Sequence, residues 1–174
     1  MAALRNNCVD QFDEISRLLR EGEHFKALAQ LVGKDGQIRA DFRADLNHAW
    51  YLAGNAAYDA GQINRALAFF KKSARTWPED TKALMAIANC YSELNKPRWT
   101  AHYLARAIQI DPNNPDLNYN LANARFDLGQ YKEAVTLYMK VIDVGRGETK
   151  EWAATNLERS LKRMRDNSER AKLD

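Results

Sequence analysis

The sequence predicts an all-α protein built as a solenoid of antiparallel helix pairs. Two observations carry that prediction. Glycine or asparagine recurs at one spacing of 34 residues, at Gly61, Asn95 and Gly129, and the same interval relates Pro78 to Pro112 and joins Asn55, Asn89 and Asn123. A fixed period of this length marks a supersecondary unit that stacks on copies of itself, because one unit alone does not bury its apolar face. Between these marks, apolar residues return at steps of three and four rather than two, which lines one side of a helix.

The first unit is 47–80. Its first helix, 47–60, is small along one side, where Ala53, Gly54 and Ala57 admit a neighbouring helix closely. Gly61 stops it, since a helix end favours a residue with no steric cost at positive φ. The second helix, 63–76, carries Ala66, Leu67, Phe70 and Ala74 as an apolar stripe. Pro78 follows and cannot continue it.

The second unit, 81–114, repeats the plan with Ile87, Ala88, Tyr91, Ala101, Leu104, Ala107 and Pro112. Asn95 stands in for glycine, as the other residue that tolerates the left-handed backbone region. Pro97 opens the second helix, where its missing amide proton costs nothing. Thr100, in register with Ala66 and Ala134, implies a slightly wider helix crossing. The third unit, 115–148, presents Leu121, Ala122, Gly129, Tyr131, Ala134, Tyr138 and Val141, and its exit, Val144-Gly145-Arg146-Gly147, lacks the proline.

Both ends read as caps. Residues 149–174 begin with a helix over Thr149 to Met164 that places Ala153, Leu157, Leu161 and Met164 on one side and charges elsewhere; from Arg165 the chain is polar and expected to fray. A solenoid needs such a polar-faced end. Residues 1–46 form a degenerate hairpin: Val9, Phe12, Ile15 and Leu19 mark one helix ending near Gly22, and Phe25, Leu28, Leu31 and Val32 another ending near Gly33. Ile38 and Phe42 then begin a short helix leading into the first clear unit.

These columns resemble the tetratricopeptide repeat family over residues 47–148. The resemblance implies a right-handed superhelix whose first helices line an inner groove and whose second helices form the outer wall. It also implies work as an adaptor, co-chaperone or assembly factor. A weaker resemblance is to the cytoplasmic chaperones of type III secretion translocators, which tend to be acidic, whereas this chain has a pI near 8.8.

On that reading the groove side of each first helix is His48, Tyr51, Asn55, Tyr58 and Asp59; then Lys82, Met85, Asn89, Ser92 and Glu93; then Asp116, Tyr119, Asn123, Phe126 and Asp127. A carboxamide donates and accepts, so the ladder Asn55, Asn89, Asn123 is suited to clamp a peptide backbone; bracing of adjacent helices is the alternative. The acidic column Asp59, Glu93, Asp127 favours a basic ligand, or else marks solvated helix ends. Tyr51, Tyr58, Met85, Tyr119 and Phe126 offer adaptable apolar surface, or core packing. Family members that grip the acidic tails of heat-shock chaperones resemble one another in a clamp of Lys, Asn, Asn, Lys and Arg. Here Asn55 matches, but Tyr51, Ala86, Asp116 and Asn120 stand at the other positions, so that ligand is not expected.

Composition narrows the function further. Hydrophobic residues at 45% and charged residues at 28% describe a folded chain with a solvated surface. A net charge of +3, from 26 basic and 23 acidic residues, creates no strong field for nucleic acid. In the C-terminal helix Arg159, Lys162, Arg163 and Arg165 alternate with Glu158, Asp166 and Glu169, without aromatic residues for stacking after Trp152. Cys8 and Cys90 make no disulfide framework, and Cys90, in register with Ala56 and Ala124, reads as a small core residue. The first eleven residues have Arg5 and Asn6-Asn7 in place of an apolar run, and no long apolar run occurs anywhere. The expected compartment is the cytoplasm.

His24, His48 and His102 lie on separate predicted helices, and no metal motif, phosphate-binding glycine loop or nucleophile elbow occurs. No cofactor, metal, small-molecule substrate or catalysis is expected. The sequence therefore predicts a non-catalytic protein-interaction module, an adaptor or dedicated chaperone that holds a peptide or helix. The alternative is a structural subunit that self-associates as a homo-oligomer or docks permanently in a larger assembly.

Overall fold

A computed structural model describes residues 12–170, and these fall into two compact units, one up to Cys90 and one from Tyr91. Val9 and Cys8, like the tail from residue 171, lie outside the described residues. The described residues are helical apart from turns, a single β-bridge and one 3-10 turn, in the all-α helical-repeat class.

In the first unit α1 covers residues 12–20 and α2 runs His24–Leu31. An antiparallel bridge pairs Val32 with Ile38 across the Lys34-Asp35-Gly36 turn. The short helix expected from Ile38 onward is a 3-10 helix, Ala40–Asp45, leading into α3 (Leu46–Asp59), α4 (Ile63–Thr76) and α5 (Thr81–Glu93). Ile15, Leu18, Ala27, Leu28, Leu31 and Phe42 are buried, whereas Phe25 is 65% exposed and does not share that core. Phe25 sits in the first turn of α2, and the buried side of that helix runs through Ala27, Leu28 and Leu31 instead.

The expected helix stops form with one local geometry. Gly61, Asn95 and Gly129 have φ of 73, 53 and 74°. In each, the next residue's amide reaches back five positions: Gln62 N to Ala57 O (2.8 Å), Lys96 N to Tyr91 O (2.8 Å) and Gln130 N to Arg125 O (2.9 Å). This closure satisfies carbonyls that a helix end otherwise leaves open, and it requires a left-handed residue. Gly22 (φ 78°) repeats it, with Glu23 N on Leu18 O at 2.8 Å, so the α1–α2 hairpin ends its first helix as the clear repeats do.

Helix starts use side-chain oxygens. Asp45 accepts from His48 N, and Asn114 accepts from Asp116 N and Leu117 N. Asp80 Oδ1 accepts from Lys82 N and Ala83 N at 3.0 and 3.3 Å, while its Oδ2 receives Asn47 Nδ2 at 3.3 Å. Asn47 also donates to the fully buried Ser73 Oγ at 2.9 Å. One carboxamide thus ties the starts of α3 and α5 to α4, and each buried polar atom in the set has a partner.

α3 meets α4 where it has no side chain. A Cβ on Gly54 would lie 2.4 Å from Phe70 Cδ1, so the ring occupies the space that glycine vacates. Trp50 stacks on Phe69 with centroids 5.4 Å apart, and Lys72 Nζ sits 4.0 Å above the Trp50 ring. Ala66, Phe69, Phe70 and Ser73 form the buried side of α4, with Leu67 and Ala74 half-buried at its margin.

The second unit continues from Tyr91 through α6 (Pro97–Ile110), α7 (Pro115–Asp127), α8 (Tyr131–Val144) and α9 (Gly147–Arg170). Its core joins Ala122, Ala134, Tyr138, Val141 and Ala153. Thr100 is buried and spends its hydroxyl on Lys96 O at 3.3 Å. Asn118 is fully buried; its amide donates to Pro112 O and Asn114 O at 2.9 and 2.7 Å, and its Oδ1 has no hydrogen-bond donor among the described residues.

α9 corrects two expectations. It stays helical through Arg170 instead of fraying from Arg165. Its buried side passes through Ala153 and Ser160, leaving Leu161 40% exposed. A step of three from Leu157 reaches the core at Ser160, whose hydroxyl is satisfied on Asn156 O at 2.7 Å and so tolerates burial.

Candidate functional site

Six of the residues expected along a groove converge in the first unit. Tyr51, Asn55 and Tyr58 from α3 meet Lys82, Met85 and Asn89 from α5 around a cleft of about 100 Å³. Phe70 and Ala86 complete its lining. They converge because Tyr51, Asn55 and Tyr58 follow one another at steps of four and three, as do Lys82, Met85 and Asn89, so each set shares a helix side. Phe70 closes the floor because Gly54 lets α4 approach.

The lining combines an apolar floor with hydrogen-bonding walls. Burial pushes the Tyr51 phenol above its usual value, the Asp80 carboxylate adds to this, and a hydrogen bond with Asn55 opposes it. Tyr51 therefore keeps its proton at neutral pH. Asn89 is exposed at the rim, and Lys82 supplies the cleft's one cation. Asp59, the acidic residue of α3, is not part of the cleft's lining. Asp59 is 3.9 Å from His24 Nδ1. His48 instead packs edge-on against Phe12, with ring centroids 4.8 Å apart.

Two periods along, the equivalent positions are Tyr119, Asn123, Phe126 and Tyr138, and the second unit fills the space between them and α9. Asn123 Oδ1 accepts from Tyr138 Oη at 2.6 Å and from Asn156 Nδ2 at 3.3 Å. Asn156 Nδ2 also donates to Tyr119 Oη at 3.1 Å, and the Tyr119 ring lies 6.2 Å from Trp152. The Arg159 guanidinium covers the Phe126 ring at 5.4 Å. Burial raises the Asp127 carboxyl above its usual range, and Arg159 draws it partly back. Asp116 Oδ1 accepts from Thr149 Oγ1 at 3.2 Å. In this unit the side chains brace α7, α8 and α9 against one another. Asn156 and Trp152, which complete the arrangement, give no sign of that role in the sequence, because nothing in α9 shows which side meets α7.

Among the described residues, no group of three or more His, Cys, Asp or Glu is placed to hold a metal ion, and no helix is long and apolar enough to cross a membrane. Cys90 is fully buried.

Helix pairs in one register, stopped by one left-handed residue and packed through a small-residue side, define a helical-repeat protein. The family description "Tetratricopeptide repeat" matches residues 48–76 and residues 100–157, together half of the chain, and the chain belongs to the tetratricopeptide repeat family. Domains of this family generally mediate protein–protein interaction. Among solved structures the chain is similar to MamA 41-end from Desulfovibrio magneticus RS-1, at 17% identity and a TM-score of 0.69, over 92% of this chain and 96% of that one. It is also similar to the Arabidopsis OM64 repeat domain, at 23% identity and a TM-score of 0.61, over 66% of this chain and 95% of that one. A third similar structure is the first repeat domain of Spaghetti (RPAP3) bound to the HSP90 peptide SRMEEVD, at 18% identity and a TM-score of 0.63, over 68% of this chain and 92% of that one. At these identities the likeness is one of fold. No curated protein sequence matches the chain.

Proposed function

We propose that this chain is a non-catalytic, cytoplasmic adaptor or dedicated chaperone that holds a partner peptide or helix against the first helices of its repeats. The observation that carries the reading is the convergence of Tyr51, Asn55, Tyr58, Lys82, Met85 and Asn89 on one cleft. Sites for cofactors and small ligands usually enclose about 300 Å³ or more. A cleft of about 100 Å³ is the size for one anchoring side chain. Around it, the carboxamides of Asn55 and Asn89 offer donors and acceptors for the backbone of a chain passing over the rim. Asp59, one residue past Tyr58 on α3, adds a preference for a basic residue beyond the cleft. The HSP90 peptide held by Spaghetti is acidic and ends in a carboxylate. With Lys82 alone, and no second cation beside it, this cleft suits a different ligand.

The test is Asn89→Ala. Asn89 is exposed, so its loss leaves stability within about 0.5 kcal/mol. Binding of a peptide selected from a random library on the wild-type protein, and mapped to the cleft by cross-linking at Tyr51, is expected to weaken about tenfold, the effect of one lost hydrogen-bonding group. Unchanged affinity in the variant removes the backbone clamp.

A further inference from the structure

α6 presents an aromatic and basic surface. Its buried side is Thr100, Ala101, Leu104 and Ala107. Outside that side, Trp99, Tyr103, Arg106 and Ile110 follow at steps of four, three and four, with Trp99 52% and Ile110 42% exposed. The rings are already organised. Tyr91 stacks on Trp99 and on Tyr103, with centroids 5.7 and 5.6 Å apart, and the His102 ring meets Trp99 and Tyr103 edge-on at 5.9 and 5.2 Å. The Arg106 guanidinium lies 5.7 Å from the Tyr103 centroid.

Beside this ladder is an open cleft of about 560 Å³ lined by Arg98, Ala101, His102, Ala105, Arg125, Leu128 and Gln130. α6 contains no Asp or Glu. Arg125 Nη1 donates to Gln130 Oε1 at 2.7 Å, and neither Arg98, Arg106 nor Arg125 forms an ion pair among the described residues. The cleft therefore holds cations with no carboxylate, in a chain whose net charge is only +3.

We propose that this side of α6 is a second docking surface, for an acidic peptide segment carrying an aromatic or aliphatic anchor. Carboxylates of the segment reach Arg98 and Arg125, whose planar donors match carboxylate geometry. The anchor packs on the edge of the Trp99–Tyr103–Ile110 ladder. From Trp99 to Ile110 the helix rises about 16 Å at about 1.5 Å per residue, the length of about five extended residues. Nucleic acid fits less well. Base stacking needs an open aromatic face, whereas Tyr91 lies between its neighbours and Arg106 covers Tyr103.

The surface shares no residue with the first-unit cleft and is tested separately. A fluorescein-labelled peptide, DDEWEL, is titrated with the wild-type protein and followed by fluorescence anisotropy, beside the charge-reversed KKRWKL and labelled oligouridine. The wild type is expected to bind DDEWEL in preference to both controls and to release it as salt is raised. The paired substitution Arg98→Glu with Arg125→Glu, and separately Trp99→Ala, are each expected to weaken binding at least tenfold, about the effect of a lost anchor or charge pair. Asn89→Ala leaves it unchanged. Arg98 and Trp99 are exposed, so Arg98→Glu alone and Trp99→Ala serve as folded variants should the pair unfold, which circular dichroism reports. Absence of DDEWEL binding, equal affinity in these variants, or tighter binding of oligouridine overturns the proposal.

Discussion

Gly54→Ala is expected to destabilise the protein by about 1–3 kcal/mol, the usual result of forcing a methyl group into a filled core. Helix propensity alone argues the reverse, since alanine is better than glycine inside a helix by about 1 kcal/mol. Sterics decide, because the new Cβ would lie 2.4 Å from two Phe70 ring carbons and 2.8 Å from a third. Phe70 is 2% exposed, and a retreat toward the cleft drives its ring against that of Tyr51, whose centroid is 5.7 Å away. Urea denaturation measures the loss. A double-mutant cycle with Phe70→Leu locates its cause: with the ring removed, Gly54→Ala should cost far less, giving a coupling of about 1 kcal/mol or more. Additive effects would place the cost somewhere other than this contact.

Tyr138→Ala should produce a larger loss, about 3–5 kcal/mol, as for other aromatic deletions from a core. Tyr138 is 1% exposed at the centre of the second unit, and its hydroxyl donates to Asn123 Oδ1 at 2.6 Å. Burial, then the nearby Tyr119 and Asp127, raise its pKa far enough that the hydroxyl remains a donor at any ordinary pH. Tyr138→Phe separates packing from hydrogen bonding. It keeps the ring and should cost about 0.5–1.5 kcal/mol, the net worth of a single hydrogen bond, because Asn156 still reaches Asn123. If both variants melted together, the ring's burial would not be what holds α7, α8 and α9.

The regular part of this fold was legible because each repeat states its boundaries in chemistry. Gly61, Asn95 and Gly129 adopt the left-handed backbone that glycine and asparagine accept. Gly22 makes the same helix stop, but an inserted bridge at Val32 and Ile38 and the 3-10 helix after it shift it out of the 34-residue interval. The apolar run from Phe12 to Leu19 and the glycine after it mark this stop, and the 34-residue interval does not. In α9, Leu157 is followed by apolar Leu161 at four and polar Ser160 at three, and hydrophobicity favoured the wrong one. Only the Ser160 hydrogen bond to Asn156 O explains why a hydroxyl takes the inner place.

Part of the cleft's lining was legible in the same way. Steps of three and four found Tyr51, Asn55 and Tyr58, and Lys82, Met85 and Asn89, since each set needed only one helix to be read correctly. Whether an asparagine clamps or braces depends on what faces it from another helix. Asn123 meets Tyr138 and Asn156, whereas Asn89 stands at a rim. Phe70, read as core, also serves as the floor of the cleft. The cations Arg98 and Arg125 come from different helices, and no pattern along one helix pairs them.

The small volume between α3 and α5 limits what any one guest residue contributes. Seating a single apolar side chain there is worth about 1.5–3 kcal/mol at most, and one extra or missing methylene discriminates weakly. Strong selection would have to accumulate from many shallow contacts along a guest's length, and a guest gripped that way is easily handed on.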